Sequence, residues 1–133
     1  MKLKIPKKRK KRLAVICAKG LESFLTWTEA FQDEYDVRLV FVSADDKGKQ
    51  EIFEAVEWAD LIWLEWGNET SAIATRCRHI VYKEKVIVRV HSYEVLSGHI
   101  NLLNWNVVSD VVFVAEHVKD TAIGILPNVF KEG

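Results

Sequence analysis

Five short runs of apolar, largely β-branched residues, each followed by a segment of helical pattern, constrain this chain more than anything else in it. The runs are Arg12–Ala18 (RLAVICA), Val37–Ser43 (VRLVFVS), Asp60–Trp66 (DLIWLEW), Lys85–His91 (KVIVRVH) and Asp110–Ala115 (DVVFVA). Their apolar character is continuous rather than alternating. That is the pattern of strands covered on both faces, as in a parallel sheet wrapped by helices. Helical patterns fall between them at 24–34, where Thr26 and Glu29 have capping-box spacing, and at 49–58, with Ile52, Phe53 and Val56 on one side. Two more fall at 69–80, with Asn68 as a cap, and at 98–108, with Ile100, Leu103 and Val107 in register. A short helical stretch follows the fifth run, and Gly124-Ile125-Leu126 offers a sixth strand before Pro127-Asn128. Right-handed crossovers then predict an α/β chain: a three-layer, doubly wound, Rossmann-like parallel sheet of five to six strands.

The 133 residues suit one ordinary domain. The zero net charge conceals an asymmetry, because eight of the first twelve residues are Lys or Arg. The rest of the chain carries eleven basic and nineteen acidic side chains. So dense a block of like charge repels itself, which predicts a basic flexible tail over 1–11 and a folded domain over 12–133. The tail suits a peripheral contact with an anionic membrane surface. Nucleic acid is not an expected partner, since the acidic body offers no basic face to extend the footprint. No apolar run reaches the roughly 20 residues of a bilayer span, and no apolar segment follows the basic run as in a secretory signal. Cys17 and Cys77 lie far apart, without metal or Cys-x-x-Cys spacing, and read as reduced thiols. A cytoplasmic protein, peripheral at the inner face of the membrane through its tail, is the expectation.

Ligands of doubly wound sheets bind outside the carboxyl ends of the strands. That nominates Lys19-Gly20, Asp45-Asp46, Glu65-Trp66-Gly67-Asn68-Glu69, His91-Ser92-Tyr93-Glu94 and Glu116-His117, with polar and aromatic residues crowded into the third and fourth loops. Dinucleotide cofactors are disfavoured: Ala18-Lys19-Gly20-Leu21-Glu22-Ser23 has one glycine and a carboxylate where G-x-G-x-x-G is needed. A phosphate-binding G-x-x-x-x-G-K-[ST] loop and a G-x-S-x-G elbow are absent. A phospho-receiver site fails at Glu65 and Glu116, where Asp and Lys are required. His79, His91, His99 and His117 lack metal spacing. No cofactor and no metal are expected.

Val86-Ile87-Val88-Arg89-Val90-His91-Ser92-Tyr93-Glu94 resembles the V-V-R-x-H-x-Y-E segment of the N-terminal domains of glycosyltransferase family 4. Asn104-Trp105 with Ser109–Asp120 (SDVVFVAEHVKD) resembles the stretch that follows it there. Leu126-Pro127-Asn128 resembles the family's I-P-N-G-V-D, and Asp60–Trp66 fits its third strand. The match spans about residues 12–130. The resemblance implies a GT-B fold and sugar transfer from a nucleotide-sugar donor to a sugar or lipid-linked acceptor, usually with retention and without a required metal. The N-terminal domain holds the acceptor, and the donor binds a C-terminal domain, which is missing from this chain. By position His91 is the catalytic cleft residue. Gly20, Glu65, Trp66, Asn68, Ser92, Tyr93, Glu94, Glu116 and His117 are the expected substrate-binding residues, although Glu94 suits capping the next helix better than touching substrate. Departures are the lone Gly20 where the family has Gly-Gly, and Val129-Phe130 after Pro-Asn. The chain alone is then expected to be inactive. The alternative is a non-catalytic Rossmann-like binding or scaffold domain. His91 is expected at the strand end, its side chain opening onto the crevice.

Overall fold

The computed structural model describes residues 9–20 and 22–130. The basic run over 1–8 lies outside them. Strand β1 (Lys11–Ala18) is followed by a 3-10 helix (Glu22–Phe31), β2 (Tyr35–Val42), α1 (Asp46–Trp58), β3 (Leu61–Glu65) and α2 (Glu69–Thr75). A 3-10 turn (Arg78–Tyr82) leads to β4 (Lys85–Val90) and α3 (Ser92–Ser97). Two further 3-10 turns (His99–Leu102, Trp105–Val107), β5 (Asp110–Phe113) and α4 (Glu116–Ile125) complete the order. All ladders are parallel and the strand order is β2-β1-β3-β4-β5. The fold is therefore the Rossmann-like α/β layer structure that the five apolar runs predict.

Side chains alternate across each strand, and β1, β2 and β3 contribute to two cores. On one face Ala14, Ile16, Val40, Val42, Ile62, Leu64, Val86, Val88 and Val90 pack against Ile52, Ala55 and Val56 of α1 and Ala74 of α2. Val95 of α3 and Val118 and Ala122 of α4 complete that layer. On the other face Leu13, Val15 and Cys17 meet Trp27 of the 3-10 helix, together with Tyr35, Phe41, Leu61, Trp63 and Trp66. The rings of Trp27 and Trp63 lie 4.7 Å apart between centroids. The two faces are covered unequally. Among the described residues the four α-helices lie on the first, whereas Val112 and Val114 on the second remain exposed.

Four local expectations are corrected. The helix expected at 69–80 ends with Thr75, and an extended Cys77 separates it from the 3-10 turn Arg78–Tyr82. Gly124-Ile125-Leu126 is not a sixth strand, since α4 runs through Ile125 and buries Val118 and Ala122 at helical spacing. The helix expected at 98–108 is divided: Gly98 ends α3 in a left-handed conformation, and Leu103 and Asn104 are extended between two 3-10 turns. Thr26 is inside the first 3-10 helix, which begins at Glu22, and so cannot be its N-terminal cap. At the amino end, strand pairing already includes Lys11, which forms an ion pair with Glu84 at 2.8 Å. Arg9 reaches Asp60 at 3.3 Å. The body therefore begins before residue 12.

Candidate functional site

In this strand order the crossovers change face at β1 and β3, so a cleft opens between the carboxyl ends of those strands. A crevice of about 270 Å³ lies there. Ala18 and Lys19 after β1 and Val42, Ser43 and Ala44 after β2 form one wall, and Asn68, Glu69 and Thr70 form another, with Tyr93 and His99 beside them. Local chemistry fixes each wall. Asp45 caps α1 by accepting the Gly48 amide at 2.7 Å. Gly48 sits so close to Ser43 that a Cβ there would fall 1.7 Å from the Ser43 carbonyl oxygen, so only glycine lets α1 start where it does. Thr70 is buried and donates to the Asn68 side-chain oxygen at 2.8 Å, which orients the Asn68 amide. Asn68 is the residue before α2, as expected, but its side chain makes no capping bond. The Tyr93 ring stacks with His99 (centroids 5.5 Å apart), and His99 Nε2 lies 3.7 Å from Glu69.

Beneath this rim, on the sparsely covered face, is a polar cluster. Glu65 ends β3 fully buried. Its Oε1 takes the Arg89 guanidinium at 2.7 Å and His91 Nε2 at 3.1 Å, and its Oε2 accepts the Trp63 indole N–H at 2.6 Å. The register explains the meeting: Glu65 pairs with Arg89, and alternation puts Trp63, Glu65, Arg89 and His91 on one side. Trp66 turns the chain off the strand with φ +76, a costly conformation for a bulky residue. Its amide donates to Arg89 O at 3.0 Å, its carbonyl accepts from the Ser71 hydroxyl, and its ring lies 3.9 Å from that of His91, nearly parallel. These contacts hold the strained residue in place.

The expected site residues divide into groups. Asn68 and Tyr93 line the crevice. Glu65, Trp66 and His91 belong to the cluster below it. His91 does not open onto the crevice: it is buried, bonded to Glu65 and stacked under Trp66, which makes it a positioning residue. Glu94 is the capping residue the sequence favoured, with Oε1 accepting the amides of His91 (2.8 Å) and Gly67 (2.7 Å) and so tying the third loop to the fourth. Ser92 and His117 line a separate groove of about 250 Å³ between α3 and α4. Glu116 is exposed at the start of α4, and Gly20, with φ +92, is exposed beyond Lys19. Sequence reasoning missed Ser43, Thr70 and His99. Only a register-level model of which residues follow each strand by one to nine positions would have found them.

These features define a doubly wound α/β domain with an open polar–aromatic crevice at its topological switch point. No family model, curated protein or solved structure matches the chain. Among the described residues no helix is long and apolar enough to cross a membrane.

Proposed function

We propose that this chain is the acceptor-side half of a GT-B-type glycosyltransferase, which moves a sugar from a nucleotide-sugar to an acceptor together with a donor-binding domain. One coincidence carries the proposal. The His91-Ser92-Tyr93-Glu94 segment, which bears the most specific resemblance to family 4, is also the segment that brings Tyr93 to the switch-point crevice. Its other members serve that placement, since Glu94 and His91 fix the first turn of α3 against the end of β3. In such a half-enzyme this domain contributes acceptor binding and orientation, which accelerate transfer by placing the attacking hydroxyl rather than by supplying a base.

The test is transfer of labelled sugar from a panel of nucleotide-sugars to glycoside and lipid-linked acceptors. It is run with this chain alone and with the chain joined to whatever follows it in its reading frame. The chain alone should be inactive. The joined form should transfer sugar, with Tyr93→Ala and Asn68→Ala raising the acceptor KM. A joined form that binds acceptor but never transfers would favour the scaffold alternative.

A further inference from the structure

We infer that the crevice recognises the uncharged ring of a sugar, stacked on Tyr93, and not a phosphate or other anion. This deepens the proposed function and rests on it for the role of the ligand, but the chemistry of the crevice argues for it separately.

Charge decides against an anion. The places where a phosphate would settle beside the start of α1 are taken by the protein's own carboxylate, because Asp45 already accepts the Gly48 amide. On the facing wall Glu69 is the first residue of α2 and lines the crevice itself. Among the described lining residues Lys19 and His99 stand against these, and His99 Nε2 is directed to Glu69. No arginine is among the described residues that line the crevice, although bidentate guanidinium contacts are the usual means of holding phosphate. Among these residues an anion would meet as much negative as positive charge.

The remaining features suit a polyhydroxylated ring. Tyr93 is 59% exposed although it is a large aromatic, and it sits at the crevice rather than on an open surface. Its ring is kept in one orientation by the stacked imidazole of His99. An aromatic face is electron-rich, and the C–H face of a pyranose is its natural partner. The polar groups around it include both donors and acceptors. The buried Thr70 spends its proton on Asn68 Oδ1, which leaves the Asn68 amide N–H groups as directed donors. The Ser43 hydroxyl can serve either way, and the Glu69 carboxylate can accept two neighbouring hydroxyls. Sugar hydroxyls both donate and accept, so a mixed set fits them where a set of pure donors would fit phosphate.

The experiment is an amide-resolved NMR titration of the full chain with methyl glycosides of glucose, galactose and mannose, and in parallel with inorganic phosphate and glucose 1-phosphate. At least one neutral glycoside should shift the amides of Lys19, Ala44, Thr70 and Tyr93 saturably, with a Kd of roughly millimolar strength, as expected for one ring on an open site. Phosphate should leave them unmoved. Tyr93→Ala should weaken the glycoside about tenfold or more, whereas Tyr93→Phe should bind within about twofold, since stacking and not the hydroxyl is at issue. Dispersed spectra of both variants provide the folding control. The inference is overturned if no glycoside gives saturable shifts, if phosphate binds the crevice more tightly, or if Tyr93→Ala binds as the parent does. Glycoside binding without sugar transfer by the joined form would sink the proposed function and leave this inference standing. Transfer with an acceptor KM unchanged by Tyr93→Ala would overturn this inference and the role given to Tyr93 above, while leaving sugar transfer itself standing.

Discussion

Replacing Gly48 by alanine should destabilise the domain, although the position is helical and alanine is the better helix former. In an exposed helix interior the exchange would gain about 1 kcal/mol. Here the new Cβ would lie 1.7 Å from Ser43 O and 2.9 Å from Ser43 C. Carbon and oxygen ordinarily approach no closer than about 3.3 Å, so α1 and the end of β2 must part by about 1.6 Å. The atom struck is backbone and cannot swing aside. Parting the elements loosens the burial of Ile52, Ala55 and Val56 and stretches the Asp45 cap on the same turn. Overpacking costs about 1–3 kcal/mol and a lost cap about 1, against the gain of about 1, so the net loss is about 1–3 kcal/mol. At roughly 4 °C per kcal/mol for a domain of this size, the melting temperature should fall by about 4–12 °C. Gly124 supplies the control, because it is in α4 with nothing within 4 Å of its would-be Cβ. Gly124→Ala should therefore raise the midpoint by roughly 2–4 °C. Thermal melts followed by far-UV circular dichroism measure both. If Gly48→Ala melts at or above the parent, the close approach is not what selects glycine there, and the packing argument fails.

Glu65→Ala should cost about 3 kcal/mol in urea unfolding, because it leaves Arg89, His91 and the Trp63 indole without their shared acceptor. Glu65→Gln keeps the shape and an acceptor oxygen and should cost visibly less; equal losses would mean that the charge alone carries the cluster and that shape and hydrogen bonding add nothing. The Cys77 thiol, pushed up to about 12 by burial, should resist alkylation in the native protein and react at once in denaturant. Native labelling at a model-thiol rate would contradict its placement. The Asp60 carboxyl is held below its ordinary value of 3.8 first by the Arg12 amide and then by the charges of Arg9 and Arg12. A carboxyl with a depressed native pKa stabilises the fold above its unfolded value and loses that contribution as pH falls through the native value. Asp60→Asn should therefore be less stable than the parent near neutrality, with the gap closing below 3.8; a gap independent of pH would refute this.

The five apolar runs were legible because β-branched and aromatic residues fill them with little polar alternation to confuse the count, even where one face is left partly exposed, and the strands begin and end within two residues of them. The stretch 98–108 shows what periodicity omits. Ile100 and Leu103 are buried as their spacing demands, yet the left-handed Gly98 and the extended Asn104 stop the hydrogen-bond ladder from running through. Burial was readable; continuity was not. For the site, the rule that ligands sit at the carboxyl ends found Asn68 and Tyr93. It did not find the inward turn of His91, because the partner that draws it in, Glu65, is 26 residues away and is reached only through the pairing of Glu65 with Arg89. Thr70 and His99 lie beyond the loops themselves, inside the elements that follow, where sequence offers no signal of which side faces the crevice.

The strand order also fixes a timetable for synthesis. β1 emerges first but occupies an interior position of the finished sheet, with β2 on one side and β3 on the other. No stable sheet can close until Glu65 has left the ribosome, because β1 alone has neither neighbour and β1 with β2 still lacks the strand that covers its second edge. After that point growth is one-directional: β4 adds to β3 and β5 adds to β4, each at the edge exposed by the strand before it. At roughly 5–20 residues per second, the apolar edge of β3 stays open for a second or more before Lys85–Val90 arrives to cover it. A nascent chain halted between Glu65 and Lys85 would thus carry a nearly complete nucleus with a bare, sticky margin, the stage at which chaperone capture or misassociation has its best opening.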